Sequence, residues 1–441
     1  MLKALTPSSG TPVRREGRLA ALDGMRLVAA LLVMLYHYVG TPHSNLWVHP
    51  NRAVFGRLYD LANYGYLGVQ MFFFISGFVI CMSCWDRNLK DFFVSRVVRL
   101  YPMYWVAIAI SFVVVHFNRN VADASGVIRA PKNLSDLLVN LTMAQDALYV
   151  NSVDAVYWTL WAELRFYLLF AIVVAFGLTF RRALAFAVLW LIAAVVCSNV
   201  DNPLIQMIVQ PMYAPYFITG ILLYLIHRFG STPLLWGLVA VTLLVCQHQV
   251  LLDTRHFNQF LHVRMKWTFS MVLVGGFFLV LALAALGKLS WAKWRWLTVA
   301  GALTYPLYLL HQDLGVITIR RLKGTIAPWP LLAGMILAML ILAFLCHRLI
   351  EKPFAPRFKR LLYSGMNFDP PSLIVPRGER TVRTDKPTEP PATPATPATP
   401  VPAASANEPK VPAPTGPEPE PEAGPEPEPV AAANGRRPAR E

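Results

Sequence analysis

The chain has 441 residues, 55% of them hydrophobic and only 15% charged, with a formal net charge of +15 and a mean hydropathy of +0.45. Runs of about 20 apolar residues recur along most of its length, which excludes a soluble globular domain and indicates a polytopic all-α membrane protein. The basic excess does not imply nucleic acid. From Met366 on, eight Lys/Arg face eleven Asp/Glu, so residues 1–365 carry +18, and those cations mostly punctuate the ends of apolar runs.

In chain order, a basic segment at 1–18 containing "RREGR" precedes a first span at 19–40 and fixes the N-terminus in the cytoplasm. No small-residue cleavage site follows this long run, so it reads as a span and not as a signal peptide. Further spans are expected near 65–84, 100–117, 155–178, 183–199, 204–226, 233–251, 267–286, 297–317 and 329–349. About ten helices, with both termini on the cytoplasmic side of a cell membrane, satisfy the charge rule at most turns. The basic stretches 251–266 and Arg320–Lys323 fall on the outer side and are exceptions. The membrane domain ends at Tyr363. Residues 364–441, with "PPATPATPATPVP" and "GPEPEPEAGPEPEPV", are too poor in apolar side chains to build a core and read as a disordered tail. Cys81, Cys84, Cys197, Cys246 and Cys346 lie in or beside apolar runs and read as packing residues; no metal site is expected.

The first span, "DGMRLVAALLVMLYHY", keeps Arg26 and His37. Eleven helical steps place them on nearly one face, about 16 Å apart along the axis. A basic group in hydrocarbon costs about 3 kcal/mol on insertion scales, so such residues are functional candidates; an Arg snorkelling to one edge and a His at the other explain them equally. Glu163 in "YWTLWAELRFYLLF" and His311 in "TYPLYLLHQ" fall in the same half as His37, which suggests a shared polar cavity. Their bland alternatives are an ion pair of Glu163 with Arg165 or Arg26, an interhelical hydrogen bond of His311, and a packed Tyr305–Tyr308–His311 face. Arg96 and Arg99 in "SRVVRLYP" share a helix face at the cytoplasmic mouth, as topology anchors or as a fork for phosphate oxygens. Pro102 is expected in the first turn of the third span. Gly65, Gly68 and Gly77 read as close-packing positions.

These groups suggest a reaction. A phosphate-bearing thioester donor is held at Arg96 and Arg99. Its arm passes Arg26, and His37 takes the proton of an attacking hydroxyl, with Glu163 orienting the imidazole.

The ordered set of motifs resembles the acyltransferase-3 family of integral membrane acyltransferases, over roughly Leu19–Pro353. "LDGMR…YHY" is similar to its Arg-x10-His signature and "GVQMFFFISGF" to its glycine-aromatic segment. "RVVRLYP" matches its Arg-x-x-Arg element. "WTLWAELRFY" resembles its Trp-Ser-Leu-x-x-Glu pattern, with Thr159 for Ser. "TYPLYLLH" and "EKP" (Glu351–Pro353) resemble its later motifs. The resemblance implies an O-acyltransferase moving an acyl group, often acetyl, from cytosolic acyl-CoA to a glycan, glycolipid or glycosylated metabolite. It implies catalytic His37, Arg26 and Glu163, donor-binding Arg96 and Arg99, and His311, Tyr305 and Trp158 as acceptor-side or supporting residues. Acyl-CoA is then a co-substrate, with no permanently bound cofactor and no nucleic-acid partner. A secondary transporter is the competing class, although no inverted repeat is visible.

Overall fold

The computed structural model describes residues 19–42, 46–123, 128, 133–261 and 263–366. Among these residues, ten long helices form a bundle. They are α1 (Ala20–Leu35), α2 (Gly68–Cys84), α3 (Leu89–Phe117), α4 (Trp158–Ala175), α5 (Phe180–Val196), α6 (Ala214–Phe229), α7 (Pro233–Phe260), α8 (Trp267–Ala285), α9 (Arg295–Leu322) and α10 (Pro328–Cys346). Eight helical stretches are long and apolar enough to cross a membrane. The other two long helices are α5, only 17 residues, and α9, whose apolar run is diluted by His311, Asp313 and terminal arginines. Each expected span corresponds to one long helix, and no extended strand occurs among the described residues.

Several boundaries differ from the expected ones, for local reasons. The third helix begins at Leu89, because the Asn88 side chain accepts the Asp91 N–H at 2.7 Å and caps an extra polar stretch. Pro102 therefore sits inside α3 and not in its first turn, and Arg96 and Arg99 stand on regular helix. The seventh helix runs to Phe260, nine residues past the expected end. The sixth span is broken: Pro203–Val209 is separate from α6, and Gln210 takes a left-handed conformation between them. Beyond α10 the chain continues through a π turn, His347–Glu351, into α11 (Lys352–Gly365), which lies along α3. There Tyr363 Oη donates to Asp91 Oδ1 and Lys90 Nζ to the Met366 carbonyl, each at 2.5 Å. Beyond Met366, the sequence expected to form the tail lies outside the described residues.

The tightest packing is between α2 and α6. A Cβ on Gly77 would fall 2.0 Å from the Phe217 carbonyl oxygen, and one on Gly220 would fall 2.2 Å from that of Phe74. Only glycine at both positions permits this approach. Gly68 likewise rests on Ala29 of α1, so the glycines of "GYLGVQMFFFISGF" are packing positions as expected. Cys81 and Cys84 are buried free thiols in the same layer.

Candidate active site

Two cavities lie back to back inside the bundle. Val69 and Tyr308 line both and form the wall between them. Helices α1 and α9 pass from the first cavity to the second, while α2 and α4 pass the other way.

The first cavity gathers Arg26, Arg96, Arg99, Glu163 and Tyr305. Arg99 is exposed, so the cavity opens at the bundle end that it marks. Arg26 is held from its own helix by Asp23, at 3.5 Å. Asp23 lies against α9 at Gly301, where a Cβ would fall 2.4 Å from its Oδ1. The "LDGMR" spacing thus places a carboxylate one turn before the guanidinium and seats it on a glycine notch. Arg96 donates to Ser83 Oγ at 3.0 Å and to Ser95 Oγ at 3.1 Å, and lies over the Tyr167 ring. Glu163 accepts hydrogen bonds from Ser76 Oγ at 2.5 Å and from Tyr167 Oη. Three guanidiniums and one carboxylate leave this chamber basic.

The second cavity is lined by His37, Gln70, Gln312, Asp253, His256 and a group of aromatic rings that includes Trp158. His37 sits where α1 widens into a π turn, Tyr36–Gly40. Such turns leave carbonyls in need of donors, and often mark functional positions. Here Thr41 N–H and Oγ1 donate to the Tyr36 carbonyl at 2.7 and 3.0 Å. Trp47 Nε1 donates to that of Tyr38 at 2.8 Å, and Asn51 Nδ2 to that of Val39 at 2.8 Å. Tyr38 Oη reaches across to the His311 carbonyl of α9 at 2.7 Å. The imidazole is thereby carried on a turn fixed from three segments.

His311 packs beside His37, their ring centroids 5.2 Å apart. Its Nδ1 bonds the Tyr308 carbonyl at 2.8 Å, and its buried Nε2 has no hydrogen-bond partner among the described residues. The neighbouring part of α9 takes partners from outside the helix. Asp154 Oδ2 accepts the Asp313 N–H at 3.1 Å, and Tyr157 Oη donates to the Leu309 carbonyl at 3.3 Å. Pro306, one turn earlier, has no N–H to give.

The structure therefore brings Arg26, Arg96, Arg99, Glu163 and Tyr305 into one chamber, and His37 and Trp158 into the next, with His311 behind His37. It separates one expected pair: Glu163 stands among the arginines and not on the His37 imidazole. The alternative partner Arg165 is also elsewhere, donating to the Met207 carbonyl at 2.8 Å. Sequence reasoning overlooked Asp23, Ser76, Tyr167, Asp154, Asp313, Asp253 and His256. A signal existed for several. Glu163 and Tyr167 are four residues apart on one helix, and Asp313 is an intramembrane carboxylate two residues after His311.

No solved structure matches the chain. Acyltransferase MdmB from Streptomyces mycarofaciens is 27% identical over 157 residues, 35% of this chain and 39% of that protein. The chain thus spans about two fifths of the length of this curated relative. Residues 19–348, about three quarters of the sequence, match the family described as "Acyltransferase domain". The same residues hold both chambers and every family motif named above except the closing "EKP", and the chain belongs to the acyltransferase-3 family of integral membrane acyltransferases.

Proposed function

We propose that the protein transfers an acyl group, acetyl in the simplest case, from cytosolic acyl-CoA to a hydroxyl of a glycan, glycolipid or glycosylated metabolite. One observation carries this reading: a basic chamber and an imidazole-bearing chamber meet at a single wall, Val69 and Tyr308. Arg96 and Arg99 hold donor phosphates at the cytoplasmic mouth, where their planar forks suit phosphate oxygens. The pantetheine arm runs up the chamber and presents its thioester past Arg26, which stabilises negative charge developing on the carbonyl oxygen. Glu163, fixed by Ser76 and Tyr167, balances the guanidiniums and keeps them extended. His37 accepts the proton of the acceptor hydroxyl as its oxygen attacks the thioester carbonyl. The C–O bond forms, the C–S bond breaks, and the proton passes from the imidazole to the departing thiolate. His311 packs behind His37 and limits its ring orientations. The termini are cytoplasmic, and the acceptor arrives from the opposite face of a cell membrane or laterally from its outer leaflet.

The test uses membranes containing the full chain and acetyl-CoA labelled in the acetyl group, followed by separation of lipid, glycan and small-molecule fractions. Label should appear in one of them. His37→Ala and His37→Gln should lower its appearance about a hundredfold or more, because Gln hydrogen-bonds but takes no proton near neutrality. Near-wild-type transfer by folded His37→Ala protein would refute the base assignment. Intact acetyl-CoA and no labelled product would refute the acyl-transfer reading.

A further inference from the structure

We infer that the histidine chamber is a cation-recognising site, and that the acceptor carries a protonated amine held by Asp253 while its hydroxyl faces His37. The inference rests on the acyl-transfer reading for the hydroxyl's fate, but the cation site stands on its own features.

Asp253 lies on α7, beyond the apolar part of the helix, and its side chain lines the same cavity as His37. Its carboxylate makes no hydrogen bond or ion pair among the described residues. It is the only carboxylate in the lining, and no Lys or Arg among the described residues lines this cavity. Arg255, its nearest basic neighbour in sequence, is exposed and outside the lining. On α7, Gln249 and His256, one turn to either side, can compete for it, and the His256 ring packs at a tilt on Phe260 with centroids 4.2 Å apart. The contrast with the arginine chamber is complete: one side of the Val69–Tyr308 wall is built for anions, the other presents an unneutralised anion.

The rest of the lining agrees. Tyr36, Tyr66, Trp158, Tyr213 and Phe257 turn five aromatic rings toward the cavity. Several are fixed against one another, Tyr66 on Phe257 at 4.5 Å and Trp158 on Tyr213 at 5.3 Å between centroids. Aromatic faces carry negative potential and attract ammonium groups. A carboxylate among such faces is the chemistry of amine recognition, whereas a neutral polyol gains stacking from the rings but nothing from the charge.

The experiment compares octyl β-D-glucosaminide with octyl β-D-glucoside, each below its micellar concentration. Both are titrated against the full chain in lipid nanodiscs at a pH where the amine is protonated, with binding followed by calorimetry in the absence of any acyl donor. The two probes differ only at C2, where a charged amine stands in place of a hydroxyl. The glucosaminide should bind about tenfold tighter, a difference of the size expected for a desolvated cation on aromatic rings and a carboxylate. Asp253→Asn should abolish that preference, so that the two probes bind alike, with the melting temperature unchanged, while Asp253→Glu should keep part of it. Equal affinities in the wild type, no measurable glucosaminide binding, or a preference surviving Asp253→Asn would each overturn the inference. Because no turnover is involved, these outcomes are separate from failure of acyl transfer, which the His37 variants test.

Discussion

The π turn around His37 invites a perturbation that leaves the imidazole itself untouched. Tyr38→Phe removes one hydroxyl, the donor to the His311 carbonyl at 2.7 Å, and keeps the ring that fills a fully buried site. The ring stays seated because α9 offers a notch at Gly315, where a Cβ would fall 2.1 Å from the Tyr38 oxygen. The His311 carbonyl lies within regular α9, so it retains its helical N–H donor and is not left orphaned. The loss is then that of one buried neutral hydrogen bond, about 1 kcal/mol. Spent on holding the turn, that is a factor of about five in the ratio of correctly placed to displaced imidazole, and so at most that factor in its population. Asn51→Ala goes further, withdrawing donors from the Val39 and Thr41 carbonyls at 2.8 and 3.3 Å. Two such bonds amount to about 2 kcal/mol, or a factor of about thirty. Steady-state kinetics on protein in nanodiscs should show kcat falling by up to about fivefold and thirtyfold respectively, with KM for acyl-CoA changed less than about twofold. Unchanged kcat in both variants, or a rise in KM at constant kcat, would mean that the turn does not position the catalytic base.

Replacing Arg96 and Arg99 together by Gln should raise the acyl-CoA concentration needed for half-maximal rate while leaving acceptor dependence unaltered, and Lys should restore it only in part; direct titration of acyl-CoA decides, unchanged affinity making the pair a topology anchor. Ending the chain after Met366 should preserve activity at matched expression, whereas ending it before Lys352 removes α11 and its two clasps on α3 and should lower thermal stability. Gly77→Leu should prevent insertion of a folded bundle, because its side chain meets the Phe217 backbone, a clash that no rotamer relieves; recovery of stable, monodisperse protein would contradict the packing argument.

The helix count was legible because bilayer thickness imposes a length that hydropathy reports directly. That Arg26 and the Arg96–Arg99 pair share one chamber was legible for a related reason: on regular helix their spacing maps onto a face. What failed was depth. Glu163 was placed level with His37 from span ends alone. A 3-10 turn at Ala155–Tyr157, however, sets the start of α4, and a π turn ends α1, and neither leaves a hydropathy signal. Asp253 and His256 were lost for the opposite reason. "DTRHFNQF" is polar enough to read as a loop, yet it is two more turns of α7. Its own pattern held the clue, since Asp253, His256, Phe257 and Phe260 recur at helical spacing. Polarity marks where a helix leaves the hydrocarbon, not where it stops.

The wall shared by the two chambers has a bioenergetic consequence. An open aqueous passage of this length through a charged membrane would leak protons, each carrying about 2.3 kcal/mol per 100 mV of potential. Val69 offers no polar atom beyond its backbone. Tyr308 is pinned by a hydrogen bond with Thr159 Oγ1 at 2.9 Å and packed edge-on against Phe72. Together they divide the path into two half-channels that meet at an insulating plug. In the proposed reaction a donor arm that displaced the plug would take its place as it entered, so the seal would be exchanged and not simply opened. Under the proposed reaction, the bundle would join chemistry on both faces of a membrane without discharging it.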